Sequence, residues 1–314
     1  MLQNFLLSFS VVFPIFLLMA LGFFIKRIRL VNETTVKQMN AVVFRVLLPT
    51  MLFKNVYESS VSEVFDGRLI LFALGCALGA VLVLCAVVPL FVKDNAKRGA
   101  LIQGTFRSNF VIFGLPIAEA LCGSAATGTA AVLIAFVIPL FNVAAVVVLE
   151  AFGGKRVGAG KILKGIVKNP LIIASVLGLL VNVSGIRFPS VVETAVKNVS
   201  GITTPLALVL LGASIRFSTV RGNLRQLIAG LSVKLLVIPA VCLSLAAFAF
   251  GFRGADFAIL IALFASPAAV SSFTMAVEMG GDEDLAGQLV MFGTAFSVLT
   301  MFLWIFLTIQ LGVV

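Results

Sequence analysis

The sequence predicts an all-α membrane protein of ten transmembrane helices, arranged as two inverted five-helix repeats. Three observations predict it. The chain of 314 residues is 61% hydrophobic and 11% charged, whereas soluble domains are about 45–50% apolar. Apolar runs recur along the whole chain, each near the roughly 20 residues that a spanning helix needs. Finally, proline-bearing interruptions fall at matching positions of the two halves.

Ten apolar runs are candidate spanning helices, and the segments between them are short. They lie at approximately 5–25, 38–57, 69–92, 100–121, 126–150, 162–183, 190–215, 226–250, 255–279 and 286–312. Five spans fall in each half, which predicts one repeat over 1–154 and a second over 155–314. Because five is an odd number, a tandem second copy has to enter the membrane in the opposite sense, so we expect inverted repeats.

Lysine and arginine residues predict the orientation. If the N-terminus lies outside, most of the 23 basic residues fall in cytoplasmic loops, as the positive-inside rule requires. The acidic loop 280–285 would also be cytoplasmic, but carboxylates carry little weight in that rule. The first run ends in Lys26, Arg27 and Arg29 without a cleavage site, so we interpret it as a retained span. We expect a multi-pass protein of the bacterial inner membrane with both termini outside.

The composition also argues against several functions. The chain has no histidine, and its four cysteines lie in or beside apolar runs without CxxC spacing, so we expect no metal, cofactor or disulfide. The net charge of +10 arises mostly from basic residues in the loops. The sequence has no basic face with interleaved aromatic residues, so we expect no nucleic-acid partner. No nucleophile–base pair or midplane carboxylate pair is apparent, so we expect no catalytic residues and no enzyme.

The fourth span contains the most unusual stretch, RSNFVIFGLPIAEALCG at 107–123. Proline lacks an amide hydrogen and clashes with the preceding turn, which predicts a break or kink just before Pro116. Asn109 places a polar amide in hydrocarbon, where open backbone is tolerated only if it is buried in protein or lines a wet cavity. We therefore predict that Asn109, Gly114, Leu115 and Pro116 form half of a substrate site.

The ninth span, FASPAAVSSFTMAVEM at 264–279, is interrupted by Pro267 and contains Ser271 and Ser272. Interrupted segments at corresponding positions of two halves point to the midplane site of a transporter, so these three residues are predicted to form the other half. Simpler interpretations stay open at this point. The prolines could only kink their helices, Asn109 could join two helices, and the serines could bond their own helix.

Free amides at the N-termini of half-helices carry partial positive charge and suit an anion, especially a carboxylate. Arg45, Arg107 and Lys234 also lie within spans. They either snorkel to the interface or line a cytoplasmic vestibule that attracts anions, with Arg107 nearest to Asn109. No carboxylate lies at mid-membrane, which argues against a carboxylate-centred ion site and leaves coupling to protons or sodium through other groups open.

The fourth-span motif Asn109-Phe-Val-Ile-Phe-Gly114-Leu-Pro116, followed by Gly123, resembles the auxin efflux carrier family, which includes plant auxin carriers and bacterial malonate transporters. The resemblance covers nearly the whole chain. It extends to LLPTMLF in the second span and to Pro267, Phe273, Ala276 and Glu278 in the ninth. Two departures are that Ser272 stands where the plant carriers have a second proline, and that their long central loop is absent.

The resemblance implies that spans four and nine cross and that a carboxylate is held at the crossing. It further implies a scaffold of spans 1, 2, 6 and 7, a transport domain of spans 3–5 and 8–10, and a homodimer in the bilayer. The expected function is a secondary carrier of organic anions, such as malonate, malate or auxin-like acids, working by alternating access. The alternative is an anion channel on the same architecture.

Overall fold

The computed structural model describes residues 2–58, 66–122, 124–152, 165 and 167–314, with the backbone alone for 2–12, 113–117, 120, 124–128, 131 and 132. Within these ranges the chain is helical and contains no strand. The helices are α1 (Leu2–Arg27), α2 (Glu33–Tyr57), α3 (Gly67–Phe91), α4 (Asn95–Phe106), α5 (Leu115–Cys122), α6 (Ser124–Phe152), α7 (Pro170–Ser184), α8 (Ser190–Ser214), α9 (Phe217–Ala249), α10 (Gly254–Ala265), α11 (Ser271–Met279) and α12 (Glu283–Gln310).

Among the described residues, six helical segments are long and apolar enough to cross a membrane, and they lie in α2, α3, α6, α8, α9 and α12. The helices α7 and α10 are equally apolar in character but shorter. Every residue of α10 from Phe257 to Ala265 is buried, so this helix lies inside the protein and not against lipid. The prediction of an all-α membrane protein is confirmed.

Side-chain caps determine where several helices begin. An oxygen of each capping residue accepts a hydrogen bond from a backbone N–H of the first turn, which has no partner within the helix. The capping residues are Asn32 for α2, Asp66 for α3, Asp94 for α4, Asn169 for α7 and Asp282 for α12. Asn32, Asp94 and Asp282 each follow a short non-helical connection, so at these three points the predicted loops coincide with helix boundaries.

Three π-helical turns are each followed, two residues later, by a proline. They are Val43–Leu47 before Pro49, Phe110–Gly114 before Pro116, and Val233–Val237 before Pro239. Proline removes one N–H from the ladder and crowds the turn before it. A wider turn relieves that crowding and gives carbonyls new partners: the N–H of Leu48 donates to the carbonyl of Val43. The helices therefore pass these prolines without ending.

The helices α1 and α8 approach each other very closely at two glycines. A Cβ added at Gly22 would lie 1.9 Å from the carbonyl oxygen of Val209, and one at Gly212 would lie 1.9 Å from that of Met19. Each glycine thus lies directly against the backbone of the other helix. In a membrane, where lipid is as apolar as leucine, such close packing is a main source of helix association.

We predict that Gly22→Ala lowers the melting temperature of the purified protein, because the new methyl group forces α1 away from α8. Overpacking of this kind costs about 1–3 kcal/mol. The matched control is Gly75→Ala in α3, where a Cβ meets no atom within 4 Å. Alanine favours a helix over glycine by about 1 kcal/mol, so this control should be neutral or stabilising. Equal melting temperatures for the two variants would contradict the packing argument.

Candidate anion-binding site

Two interruptions of helical structure meet in the middle of the protein. After α4 ends, Arg107 has extended backbone angles, φ −69° and ψ 140°, and helical structure resumes at Phe110. After α10 ends, Ser266 is extended in the same way, φ −62° and ψ 149°, and α11 begins at Ser271. The backbone N–H of Asn109 donates to the carbonyl oxygen of Pro267 over 2.9 Å. Each interruption therefore supplies a hydrogen-bond partner for a backbone group of the other.

The first interruption begins before the position that the sequence predicts. The expected break or kink just before Pro116 coincides with the π-helical turn Phe110–Gly114, whereas the chain leaves helical structure earlier, at Arg107–Asn109. Pro116 is the second residue of α5, where the π-helical turn before it accommodates the missing N–H. Only the backbone of Gly114, Leu115 and Pro116 is described, so their side chains lie outside the described residues.

Arg107 is buried, with 4% of its surface exposed. Its Nη2 donates to Oδ1 of Asn142 over 2.8 Å and to Oγ of Ser271 over 2.9 Å, and its Nη1 contacts Sδ of Met275 at 2.7 Å. All three partners are neutral. The ion pairs within the described ranges all involve other residues, so no described carboxylate balances this guanidinium.

A cavity of about 270 Å³ lies beside Arg107. The interruptions supply one wall, and α2, α6, α7 and α8 supply the others. Its polar lining residues are Asn55, Arg107, Ser108, Asn109, Asn142, Ser200, Thr203, Thr204 and Ser271, and its apolar ones include Leu48, Met51, Leu52, Ile138, Phe141 and Leu171. The cavity therefore has a cationic, amide-rich end and an apolar body.

Four buried polar groups of the cavity lining have no described partner: Nε of Arg107, Oγ of Ser108, Nδ2 of Asn109 and Nδ2 of Asn142. All four can donate a hydrogen bond. A buried donor left without a partner costs about 1–3 kcal/mol, and these four accumulate around a single positive charge. These atoms have almost no exposed surface, so an acceptor-rich anion in the cavity would bond them only after their side chains turn toward it. Such an anion suits the donor-rich surroundings of Arg107.

The other predicted residues are placed as follows. Ser271 lines the cavity and accepts from Arg107, whereas Ser272 and Pro267 do not line it. The carbonyl of Ser272 accepts from Nε2 of Gln103 over 2.8 Å.

Of the three intramembrane cations, for which the sequence allows either snorkelling to the interface or a vestibule, Arg107 lines this cavity and the other two do not. Arg107 lies in the cavity itself, Arg45 is exposed, and Lys234 is buried in the π-helical turn of α9 away from the cavity. Sequence reasoning also missed Asn142, although a lone amide within the apolar run of 126–150 was a detectable signal.

The two ends of the cavity differ. Near Asn55 and Gly201 the lining is partly exposed. At the opposite end α2 contacts α11, because Nδ2 of Asn40 donates to the carbonyl of Thr274 over 3.3 Å and to Oε1 of Glu278 over 3.2 Å. Further out, Arg216 pairs with Glu33 at 3.6 Å and with Glu283 at 3.8 Å. The cavity is therefore closed at the Asn40 end.

Comparison with known proteins identifies a membrane transport protein. The family described as "Membrane transport protein" matches residues 7–305. An uncharacterized transporter of Methanothermobacter thermautotrophicus is 23% identical over 301 residues, covering 95% of this chain and 97% of the relative. The uncharacterized transporter MJ1031 of Methanocaldococcus jannaschii is 24% identical over 309 residues, covering 95% and 98%. The family inferred from the Asn109–Pro116 motif is thereby confirmed, and the chain belongs to the membrane transport protein family that includes the auxin efflux carriers.

Proposed function

We propose that this protein is a secondary transporter that carries organic anions across the membrane by alternating access. The observation that carries the proposal is the buried guanidinium of Arg107, which contacts only neutral groups at the meeting point of two helix interruptions. A charge in the interior of a membrane protein is costly unless it is paired, and such charges usually mark a substrate pathway.

A carboxylate is the substrate group that fits this site best. Its two oxygens can accept two parallel hydrogen bonds from a guanidinium, and the unpartnered amide groups of Asn109 and Asn142 can donate to the same oxygens. The cavity volume of about 270 Å³ lies just below the usual range of ligand pockets, about 300–1,000 Å³. Small acids such as malonate, malate or auxin-like acids are therefore the proposed substrates.

The proposed architecture has ten spans in two inverted repeats, 1–154 and 155–314, whose interrupted fourth and ninth spans cross. In this arrangement α1, α2, α7 and α8 form the scaffold, and the remaining helices form the transport domain. The cavity supports the division, because both groups line it: α2, α7 and α8 of the scaffold, and α6 and the two interruptions of the transport domain. A site between two bodies can face either membrane surface when one moves against the other.

The closed end of the cavity favours a carrier over a channel. A channel needs both ends open together, whereas here the bonds from Asn40 hold α2 against α11. With the N-terminus outside, α2 runs outward from Glu33 to Tyr57, so the Asn40 end is cytoplasmic and the Asn55 end faces outward. In this proposal, transport requires the Asn40 contacts to break as the Asn55 end closes.

Arg107→Gln is expected to abolish stabilisation of the purified protein by small carboxylates. Truncating one member of a buried charge pair costs about 2–5 kcal/mol, or roughly 30- to 4,000-fold in affinity. The measurement is the melting temperature against concentrations of malonate, malate and indole-3-acetate, since binding stabilises the folded state. The control is Arg45→Gln, which removes an exposed arginine of a span. The proposal fails if none of the three acids stabilises the unaltered protein. It also fails if the acids raise the melting temperature of Arg107→Gln as much as that of the unaltered protein.

Asn109→Ala should weaken carboxylate binding while leaving the fold intact. The bond to Pro267 uses the backbone N–H of Asn109, which alanine keeps, whereas the amide Nδ2 is lost. A hydrogen bond to a charged group contributes about 1.5–3 kcal/mol, so affinity should fall roughly tenfold to 150-fold. The same titration of melting temperature measures this. Ser272→Ala is the comparison, because Ser272 does not line the cavity, and equal losses in both variants would remove Asn109 from the site.

Asn40→Ala should loosen the closed end of the cavity, since it removes both side-chain bonds between α2 and α11. Net hydrogen bonds contribute about 1 kcal/mol each, so amide hydrogen exchange in residues 271–279 should accelerate by about fivefold or more. The control is Thr35→Ala, which changes an exposed bond at the start of α2. Unchanged exchange in α11 would show that Asn40 does not hold this end closed.

A further inference from the structure

A second concave surface, separate from the central cavity, lies between α3, α4 and α9. We call it the lateral groove. It encloses about 510 Å³ and shares no lining residue with the central cavity. Its walls are mostly apolar side chains, among them Leu84, Val87, Val88 and Phe91 of α3, Leu101 of α4 and Val233 of α9. Its polar lining residues are Thr105, Arg225 and Gln226.

The lateral groove opens toward the lipid. Phe91 is 80% exposed and Val87 is 43% exposed, and both belong to α3, which has the highest mean hydropathy of the candidate spans. The floor is closed, because a Cβ at Gly230 would lie 2.7 Å from Cδ1 of Leu101. Ala229 beside it is exposed and carries only a methyl group. In a bilayer, an apolar groove of this kind suits a hydrocarbon chain better than water.

The mouth of the lateral groove is cationic. Arg225 is exposed and takes part in none of the ion pairs of the described residues. Arg98 donates to the carbonyl oxygens of Val92 and Pro89 at the end of α3, and Lys97 donates to Oδ1 of Asn223 on α9 over 2.7 Å. The nearby carboxylate of Asp94 accepts from the backbone N–H groups of Ala96 and Lys97 as the cap of α4. The groove lining itself contains no acidic residue.

We propose that the lateral groove binds an anionic phospholipid, with one acyl chain along the apolar wall and the phosphate at Arg225. Basic pockets between membrane helices on the cytoplasmic side suit anionic lipid head groups, and this end of α9 lies among the loops that we expect to be cytoplasmic. The site is independent of the anion site around Arg107. Its occupancy therefore does not depend on whether the protein transports carboxylates.

The test uses the purified full-length chain in detergent, with melting temperature and native mass spectrometry as readouts. The probes are dioleoyl phosphatidylglycerol, dioleoyl phosphatidylcholine and inorganic phosphate. Phosphatidylglycerol should bind and stabilise more strongly than phosphatidylcholine, and phosphate alone should have no effect. Equal binding of the two lipids would overturn the proposal, as would full stabilisation by phosphate, which would indicate a free anion and no lipid.

Two pairs of variants locate the lipid. Arg225→Gln should weaken phosphatidylglycerol binding by about fivefold and remove the preference over phosphatidylcholine. Arg221→Gln changes an exposed arginine outside the groove and should leave the affinity and the preference unchanged. Ala229→Phe should fill the groove and reduce binding of both lipids, whereas Ile228→Phe adds bulk to an exposed position of the same helix outside it. Unchanged phosphatidylglycerol binding in Arg225→Gln or in Ala229→Phe would place the lipid elsewhere.

Discussion

The hydrogen bond from the backbone N–H of Asn109 to the carbonyl of Pro267 is the contact on which the centre of the protein depends. Interrupting a helix inside a membrane leaves backbone groups without partners, and lipid supplies none. Each such group would cost several kcal/mol in hydrocarbon. Where two interruptions face each other, fewer backbone groups lack a hydrogen bond, because the carbonyl of one accepts from the amide of the other. Extended backbone is thus tolerated at two positions far apart in sequence.

The pairing also explains why a charged residue can stay at this depth. Arg107 is the first residue of the interruption and has an extended backbone. From there its side chain donates to Asn142 of α6 and Ser271 of α11. These groups satisfy part of its hydrogen-bonding capacity but none of its charge. Under the proposed function, an anion would balance this charge and accept from the donors that lack partners, which is the physical origin of the proposed affinity.

Much of this could be predicted from the sequence, and the exceptions have physical reasons. The apolar runs and the break near Pro267 were visible because length, hydropathy and proline act locally. The irregularity expected before Pro116 is a π-helical turn that lets this proline remain in a helix. The extended break lies earlier, at Arg107–Asn109, because it depends on a partner in the other half. The role of Asn142 was missed for the same reason, since only the fold brings α6 beside Arg107.

The short helix α11 connects the surroundings of Arg107 with the closed end of the central cavity. Its first residue, Ser271, accepts from Arg107, while Thr274 and Glu278 further along accept from Asn40. A carboxylate that takes hydrogen bonds from Arg107 competes with Ser271 for the same guanidinium. Under the proposed function, binding at one end of α11 therefore changes the balance of contacts on the helix that closes the other end. Because α11 spans only Ser271–Met279, it can respond as one rigid unit, which links occupancy of the site to opening of the closed end.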